Sequence, residues 1–446
     1  MFGQLLLPEL RELLQLNDQA GMGEFLEALH PAASVEVLEH VSTAEVWQVL
    51  ANAPFERQAE VFGYFHPAFQ TELVGNVDRK HLSKLIETMA HDDRVDLLKS
   101  MDSEHVEALL PLMAQAERND IRRLLSYPED SAGSIMTTDY ASLHENITVS
   151  EALDQLRRQA PDRETIYYVY ILDDDRKLDG LITLRTLILA RPNAQLADIM
   201  ERDVFAVRVD DDQEKVAQEM AKYDFLAMPV VDHQNRLVGI ITHDDVIDVL
   251  QEEATEDVYR AGAMSPLEDS YLATPLKEIV WKRGVWLVVL LATGFLSATV
   301  LKHFRPGAEQ IEWMMVFLPL VLASGGNSGS QSATLVIRAI NIETLTHAES
   351  RKLLVRELFM ATTLGGVLMF EAFLLAMFLE HPSKAMVVGL TVFMLVWMGA
   401  VAGALLPLLF KRLGMDPAMM SNPLIAALVD ISGGVIYFNV ARFIIP

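Results

Sequence analysis

The chain has 446 residues, of which 51% are hydrophobic, contains no Cys and carries a formal net charge of −26. Residues 278–446 hold 12 basic and 10 acidic side chains, so residues 1–277 hold 24 basic and 52 acidic ones, a balance of −28. So negative a surface excludes nucleic-acid binding through a broad basic face and favours cation partners. The absence of Cys excludes disulfides, thiolate metal sites and a cysteine nucleophile.

Residues 1–130 contain short amphipathic segments at a spacing of about a dozen residues, each with apolar residues at i, i+3 and i+4. They include VEVLEHV, VWQVLANA, QAEVFGYF, LSKLIETM, RVDLLKSM and HVEALLPLM. Stacked short helices bury one such face each, so this part is predicted to form a helical superhelix, with a simple bundle as the alternative. No catalytic group is visible in it, and the chain is not predicted to be an enzyme.

Residues 131–257 have mixed α/β character and repeat once. One copy contains ITVSEALDQL and YYVYILDDDRKLDGLITLRTLI, and the other contains FAVRVDDDQEKVAQEM and LAMPVVDHQNRLVGIITHDDVIDVL. In each copy a helix precedes a strand, an Asp/Asn-rich turn, a second strand and a second helix. This order resembles a tandem pair of CBS domains, which are small α/β modules that pair within one chain and sense ligands.

An acidic run, HDDVIDVLQEEATEDVYR, follows the last strand of the second copy. On a helix Asp245, Asp248 and Glu252 share one face, where like charges repel. A solvated acidic face is one interpretation of this run. The other combines it with the acidic sequence 91–93: Mg²⁺ bound between acidic surfaces would cancel their repulsion and draw domains together, so that ion concentration would set domain geometry.

Residues 258–280 are predicted to form a connecting helix, and residues 281–446 a membrane domain, because a membrane-spanning helix needs about 20 mostly apolar residues. The five predicted spans are 284–300, 314–337, 358–379, 386–410 and 424–441. The distribution of Lys and Arg between the loops predicts a cytoplasmic N-terminus and an outside C-terminus. The membrane is expected to be the inner membrane of a prokaryote.

Asp430 lies in the middle of the last predicted span, where a carboxylate usually faces a water-filled path or a partner. Since the spans offer no obvious basic partner for this carboxylate, a cation is the simplest partner.

The second span contains ASGGNSGSQSAT at 323–334. Its small residues allow close helix packing, or they loosen the helix and expose carbonyl oxygens beside Asn327, which would suit a hard cation such as Mg²⁺.

Two further acids stand near or within the predicted spans. Asp416 lies in the break between the fourth and fifth spans, where it is either an ordinary loop acid or part of the inner mouth that admits ions. Glu371 lies in the middle of the third span, and the sequence assigns it no role.

Over essentially its whole length the chain resembles the MgtE family of magnesium channels. The most specific pieces are YPEDSAGSIMT (127–137), the CBS pair, ATEDVY (254–259), GGNSGSQ (325–331) and DPAMMSNPLIAALVDISG (416–433). The resemblance implies a homodimer in the lipid bilayer, with a pore formed by membrane helices of both subunits. Asp430 would hold a hydrated Mg²⁺ in that pore, which Asn422 and the GGNSGSQ segment would line.

The resemblance also implies a gate. A connecting helix around residues 252–270 would plug the pore when Mg²⁺ occupies regulatory acidic sites. The residues that match these sites are Asp93, with Asp92 as an equally good candidate, and Asp245, Asp248, Glu253, Glu256 and Asp257.

One departure concerns nucleotides. CBS domains that bind nucleotide often carry Thr/Ser-x-x-Asp after the last strand to hold a ribose, and the second copy has this pattern from Thr242 to Asp245. The first copy has Thr186 where that Asp would stand. ATP is therefore expected to bind weakly, or only at the site of Thr242 and Asp245.

Together these features predict a multidomain α-helical membrane protein that acts as a Mg²⁺-gated, Mg²⁺-selective channel, with Mg²⁺ as both transported and regulatory ion. Other divalent cations are further candidate substrates. Two alternatives stay open: a CBS-regulated transporter of another solute, and a membrane-anchored sensor of Mg²⁺ or nucleotide. The first would need basic or aromatic pore groups, and the second would need only one span.

Overall fold

The computed structural model describes residues 2–160, 163–267, 271, 274–303, 308–342, 347–413, 415–417 and 422–445. They form two compact units, Met1–Gln251 and Glu252–Pro446. The first unit contains a helical array and an α/β part, and the second consists of long helices.

The first unit begins with short helices, most of which pack mainly against the helix two places along the chain. Their bounds are α1 Phe2–Leu16, α2 Gln19–Ala28, α3 Pro31–Leu38, α4 Thr43–Leu50, α5 Phe55–Gly63, α6 Pro67–Val74, α7 Arg79–Thr88, α8 His91–Ser100, α9 Ser103–Leu109 and α10 Gln115–Leu124. Several begin at capping side chains, such as Ser42, whose capping box with Glu45 starts α4. The packing of alternate helices confirms the predicted superhelical array.

Two three-stranded sheets of the same topology follow. In each, the first strand pairs parallel to the second, which pairs antiparallel to the third. The first half contains β1 Tyr140–Leu143, α11 Val149–Gln159, β2 Thr165–Leu172, β3 Leu178–Thr183, α12 Leu184–Leu189 and α13 Leu196–Ile199. The second contains β4 Val207–Arg208, α14 Gln213–Tyr223, β5 Ala227–Val231, β6 Leu237–Thr242 and α15 His243–Ala261. The predicted tandem repeat is confirmed.

The repeat extends to the turns between the last two strands of each sheet. Asp173 Oδ1 accepts hydrogen bonds of 2.8 and 2.7 Å from the backbone N–H groups two and four residues ahead. Asp232 Oδ1 accepts the equivalent bonds at 2.8 and 2.9 Å. Arg176 and Asn235 then adopt left-handed φ angles of 65° and 61°. The Asp residues of the acidic turns are thus bound by backbone, which explains their presence without a ligand.

The predicted connecting helix over 258–280 is not one helix in the structure. Helix α15 ends at Ala261, and Ala263 has a positive φ of 54°. Pro266 and Pro275 follow, and the next helix begins at Leu276. Proline lacks the N–H that a helix interior needs, and it disfavours helical backbone in the preceding residue, which accounts for the interruption. Residues 268–270, 272 and 273 of the prediction lie outside the described residues.

The second unit contains the long helices α16 Leu276–His303, α17 Ala308–Ile342, α18 His347–Met377, α19 Pro382–Arg412 and α20 Asn422–Ile444. Each contains one of the five predicted spans, except that the third span, 358–379, extends two residues beyond the end of α18. In the described part, four helical segments are long and apolar enough to cross a membrane: Leu276–Thr299, Glu349–Met377, Pro382–Arg412 and Asn422–Ile444. Helix α17 does not reach that composition because the small and polar residues 323–334 interrupt it. Helix α19 is central and packs against α17, α18 and α20.

Helix α17 is continuous through its glycine-rich segment, which favours close helix packing over loosening, the two alternatives that the sequence left open. The glycines instead allow α17 to cross α19 in backbone contact. A Cβ on Gly403 would stand 3.0 Å from Ala333 N, and one on Gly399 would overlap the carbonyl of Gly325. Gly329 completes this crossing: a Cβ there would stand 3.1 Å from the Gly399 carbonyl oxygen. This is the close packing that small residues give in membrane helices.

Candidate metal sites

The N-terminus of α8 in the helical array is held against the α/β part by a charged network. Arg94, which is fully buried, forms ion pairs with Glu117 at 2.6 Å and with Asp120 at 3.1 Å. His91 Nδ1 contacts Thr138 Oγ1 and lies 3.2 Å from Asp120 Oδ2. The next two residues in sequence, 92 and 93, begin α8, where the helix dipole favours negative charge. This network therefore positions the predicted acidic pair.

These two carboxylates open into an acidic cleft between the helical array and the CBS part of the first unit. The cleft has a volume of about 700 Å³. Eight carboxylates line it, from Glu56, Glu60, Asp92, Asp93, Glu164, Asp244, Asp245 and Asp248. Arg57 also lines the cleft, but its guanidinium group already binds the carbonyl oxygens of Leu26 and Leu29. It also forms an ion pair with Glu60 at 2.8 Å. The negative charge of the cleft is therefore largely uncompensated.

Burial and mutual repulsion raise the pKa values of the cleft carboxyls. Burial, then the charge of Asp92, raises the pKa of Asp93 to about 7 and that of Asp245 to about 8. The pKa of Glu164 also rises to about 7, through burial and the charges of Asp92 and Asp244. Burial raises the pKa of Asp92 as well. Such shifts are typical of a site that a cation completes.

Asp245 is the point where the cleft meets the CBS fold. Its Oδ2 accepts hydrogen bonds from the Thr242 hydroxyl at 2.6 Å and from the Thr242 backbone N–H at 3.3 Å. Asp92 also lies within hydrogen-bonding reach of Asp245. One oxygen of Asp92 is buried without a hydrogen-bond partner in the described part of the chain. Asp245, the candidate ribose ligand, therefore also forms part of the wall of the acidic cleft.

The corresponding position of the first CBS copy carries no charge. The Thr183 hydroxyl accepts a 3.1 Å hydrogen bond from the backbone N–H of Thr186 and lies 2.8 Å from the Thr186 hydroxyl. A pair of threonine hydroxyls thus stands where the second copy has a hydroxyl and a carboxylate.

Sequence reasoning missed three cleft acids. Glu56 and Glu60 stand one turn apart on α5, and Glu164 directly precedes β2. The only signal in the sequence was the like-charge pair at i and i+4. Gly63 of α5 makes the approach possible, since a Cβ there would stand 2.7 Å from Asp93 Oδ2. Among the described residues no three His, Asp or Glu converge as a metal centre, so the cleft is a charged cavity and not an assembled chelate.

The remaining predicted regulatory acids, Glu253, Glu256 and Asp257, lie beyond Gln251 and belong to the second unit. There Arg260 forms ion pairs with both Glu256 and Asp416. The structure therefore brings the predicted mouth residue Asp416 together with the end of α15 through a shared cation.

The membrane helices present polar groups on two helix faces. Asn327 is exposed on α17, and Asp430 is half-buried on α20, where its backbone carbonyl accepts a 3.4 Å bond from the Ser297 hydroxyl. Asn422 begins α20 and donates to Thr334 Oγ1 at 3.3 Å. The side-chain oxygen of Asn422 is buried and has no hydrogen-bond partner within the described ranges. These groups place side-chain oxygens among apolar helices.

The acids of α18 differ from Asp430. Glu371 is exposed on α18, and no contact in the described part assigns it a role. Glu357, which the sequence interpretation did not consider, accepts a 2.6 Å hydrogen bond from the buried Ser332 of α17. The Ser332 hydroxyl oxygen also lies 3.0 Å from the Ala400 carbonyl oxygen, so this pair brings three helices together.

Comparison with known proteins decides the family. Residues 318–440 match the family model described as a divalent cation transporter, residues 29–130 match the MgtE intracellular N domain, and residues 132–193 and 196–252 match the CBS domain. The magnesium transporter MgtE of Thermus thermophilus is 38% identical over 98% of both chains. The chain belongs to the MgtE family. The MgtE of Enterococcus faecalis is 36% identical over 72% of this chain and 70% of its own.

Two solved structures resemble the first unit of this MgtE chain. The cytosolic domain of the Mg²⁺ channel MgtE in complex with ATP has a TM-score of 0.53 at 39% identity, and covers 55% of this chain and 100% of its own. The soluble part of a magnesium transporter has a TM-score of 0.54 at 33% identity, and covers 56% and 99%. The predictions of an MgtE N domain, a CBS pair and a membrane transporter that is not an enzyme are confirmed.

Proposed function

We propose that the protein is a Mg²⁺-selective channel that closes when Mg²⁺ binds to its own acidic cleft. The observation that carries this proposal is the cleft itself, in which eight carboxylates line about 700 Å³. Membership of the MgtE family supports Mg²⁺ as the transported ion.

The gate works by charge neutralisation. Without a cation the cleft carboxylates repel one another, so the helical array and the CBS part separate. Mg²⁺ is a hard cation that prefers carboxylate and water oxygens, and its binding favours the compact arrangement. Asp92 or Asp93, Asp245 and Asp248 are the proposed ligands in the cleft, and Glu253, Glu256 and Asp257 extend the acidic surface along α15.

The end of α15 would pass this change to the membrane helices. Arg260 binds both Glu256 and Asp416, and this shared ion pair supports coupling between α15 and the segment before α20. A movement of α15 that breaks this pair would release Asp416 from Arg260 at the inner mouth of the proposed pore.

The pore proposal rests on oxygen groups among apolar helices. Asp430 attracts the ion, while Asn327 and Asn422 add neutral oxygens. Mg²⁺ gives up water reluctantly and normally keeps several waters, so one carboxylate with neutral oxygens suits a hydrated ion. A divalent ion that moves inward across ~100 mV gains about 4–5 kcal/mol, twice the value for one elementary charge. Transport therefore requires no ATP hydrolysis.

We infer a homodimer in a prokaryotic inner membrane, with a cytoplasmic N-terminus and an outside C-terminus. Exposed apolar side chains support dimerisation: Ile188 and Leu189 of α12 are 66% and 75% exposed, and Ile247 of α15 is 57% exposed. In the membrane unit Asn327 is exposed in the single chain, as expected of a residue that faces a pore between two subunits.

ATP is a second proposed ligand of the CBS pair. A related cytosolic domain at 39% identity has been solved in complex with ATP. In this chain Thr186 replaces the acid that often holds a ribose, and Asp245 is shared with the acidic cleft. We therefore propose that ATP binds weakly and competes with Mg²⁺ for the second CBS copy.

Flux into liposomes that hold only the purified protein tests the channel. We expect Mg²⁺ entry that is driven by a membrane potential and is reduced by Mg²⁺ on the side of the soluble unit. Mn²⁺, Co²⁺, Ni²⁺ and Ca²⁺ in the same assay would measure selectivity. A flux that does not change with Mg²⁺ on that side would overturn the proposed gating. The absence of flux under a membrane potential would overturn the proposed channel activity.

A further inference from the structure

A groove lies where α18 begins and α19 ends, at one end of the membrane helices. Its volume is about 630 Å³, within the range of roughly 300–1,000 Å³ of ligand pockets. Arg351 and Leu354 of α18 line one side, and Leu405, Leu409 and Arg412 of α19 line the other. The groove therefore has an apolar body and a basic end.

The leucines of the apolar body are exposed on helices whose surroundings are the lipid bilayer and not water. Leu405 and Leu409 are 47% and 49% exposed and stand one turn apart on α19. Both α18 and α19 contain stretches apolar enough to cross a membrane. Exposed leucines on such helices face lipid hydrocarbon, and a concave row of them fits an acyl chain better than a flat helix face does.

The basic end carries two exposed and uncompensated charges. Neither Arg351 nor Arg412 forms an ion pair or a hydrogen bond with any described residue. Their neighbour Lys411 differs, because it donates to the Ile340 carbonyl at 3.3 Å. The nearby acid Glu357 is bound by Ser332 at 2.6 Å. The two guanidinium groups are thus available to an outside anion.

We propose that this groove binds one anionic phospholipid of the surrounding bilayer. Its phosphate group lies between Arg351 and Arg412, and an acyl chain follows Leu405 and Leu409 along α19. Arginine suits this role because its planar donors match phosphate oxygens in pairs. Basic pockets between membrane helices are recognised sites for anionic head groups.

The positive charge and the exposed leucines of the groove together favour an anionic phospholipid over a second copy of the chain, a zwitterionic lipid or free phosphate. A second copy of the chain would bring the same two arginines into repulsion, and a zwitterionic lipid would add a positive group beside them. Free phosphate would leave the leucines uncovered. The site rests on the membrane placement of α18 and α19 and not on the proposed Mg²⁺ gating.

Native mass spectrometry of the purified full chain tests the site, with phosphatidylglycerol and phosphatidylcholine as the probes. We expect phosphatidylglycerol to be retained preferentially. A double substitution, Arg351→Gln with Arg412→Gln, is expected to weaken its retention roughly tenfold to thirtyfold, because each basic residue near an anionic surface is worth about 1 kcal/mol. Both side chains are exposed, so the variant is expected to fold, and single substitutions carry the same test with smaller effects.

The matched control is Lys352→Gln with Arg356→Gln, which removes the same charge from exposed positions of α18 outside the groove. Equal losses in the control would show a general charge effect and overturn the site. Equal retention of phosphatidylcholine by the parent, or displacement of phosphatidylglycerol by inorganic phosphate at equal concentration, would overturn the lipid as occupant. Ion flux is not the readout, so failure of the channel proposal leaves this result interpretable.

Discussion

The acidic cleft and the polar groups of the membrane helices are both proposed to offer oxygen ligands to a cation, but in opposite ways. The cleft gathers eight carboxylates into one cavity. The membrane helices offer Asp430 with the neutral oxygens of Asn327 and Asn422. A sensor must hold its ion and change shape with it, which repelling charges allow. A conduction path must bind an ion weakly enough to release it, which neutral oxygens allow.

The largest expected effect is on ion flux, and it comes from a substitution of Asp430 in the membrane helices that leaves the acidic cleft intact. We expect Asp430→Asn to lower Mg²⁺ flux into liposomes at least about tenfold, because it removes the single charge proposed to attract the ion in the pore. Mg²⁺-dependent protection of the soluble unit from protease should not change. The control is Glu371→Gln on α18, and an equal loss of flux in it would remove the special role of Asp430.

The next expected effect is the opposite: a substitution in the acidic cleft changes protease protection and leaves ion flux at low Mg²⁺ unchanged. Asp92→Asn with Asp93→Asn is expected to raise the Mg²⁺ concentration for half-maximal protease protection about tenfold, since a proposed Mg²⁺ ligand and the negative charge that attracts the ion are lost. Flux at low Mg²⁺ should be retained. Glu104→Gln with Glu107→Gln removes the same charge from exposed positions of α9 and is the control. An unchanged midpoint in the cleft variant would show that the cleft is not the sensor.

A smaller effect concerns pH. The folded protein raises the pKa of Asp93 and Glu164 to about 7 and that of Asp245 to about 8. These carboxyls hold protons that the unfolded chain has released, so their contribution to stability is present below the ordinary carboxyl pKa and is lost as pH rises to about 8. Mg²⁺ must displace the same protons. We expect its apparent affinity to increase several-fold between about pH 6 and pH 8.5, measured by Mg²⁺ titration of protease protection. A flat profile would contradict proton competition.

The smallest effect compares the two CBS copies. We expect Thr186→Asp to strengthen ATP binding by roughly threefold to tenfold, as a hydrogen bond to a charged group contributes about 1.5 kcal/mol or less at a partly exposed site. Asp245→Ala should weaken ATP binding by a smaller factor. Calorimetric titration of the full chain measures both, and tight binding that survives Asp245→Ala would place the nucleotide elsewhere.

The sequence predicted most elements because local pattern and packing agree. The i, i+3, i+4 spacing in the first 130 residues, the duplicated strand and turn pattern, and the apolar spans all correspond to observed helices and strands. The connecting helix failed as one helix because Pro266 and Pro275 outweigh the helical pattern around them.

The acidic cleft was less predictable than the fold, because its side chains come from elements that are distant in sequence and meet only in the folded chain. Asp92, Asp93, Asp245 and Asp248 were found through local acidic runs. Glu56, Glu60 and Glu164 come from separate elements that meet only in the fold. The glycines of α17 were ambiguous, since loosening and close packing require the same residue types. Only the position of α19 distinguishes them, because Gly399 and Gly403 lie opposite Gly325 and Gly329.

That glycine crossing also has a mechanical consequence. Where two helices touch backbone to backbone, no flexible side chains lie between them to absorb a displacement, so α17 and α19 move as one stiff pair. If the proposed path runs beside Asn327, its widening would then come from α16 or α20 moving against that pair, or from rotation of the whole pair in its subunit. The glycines would thus separate the helices that stay fixed in the proposed gating from those that move.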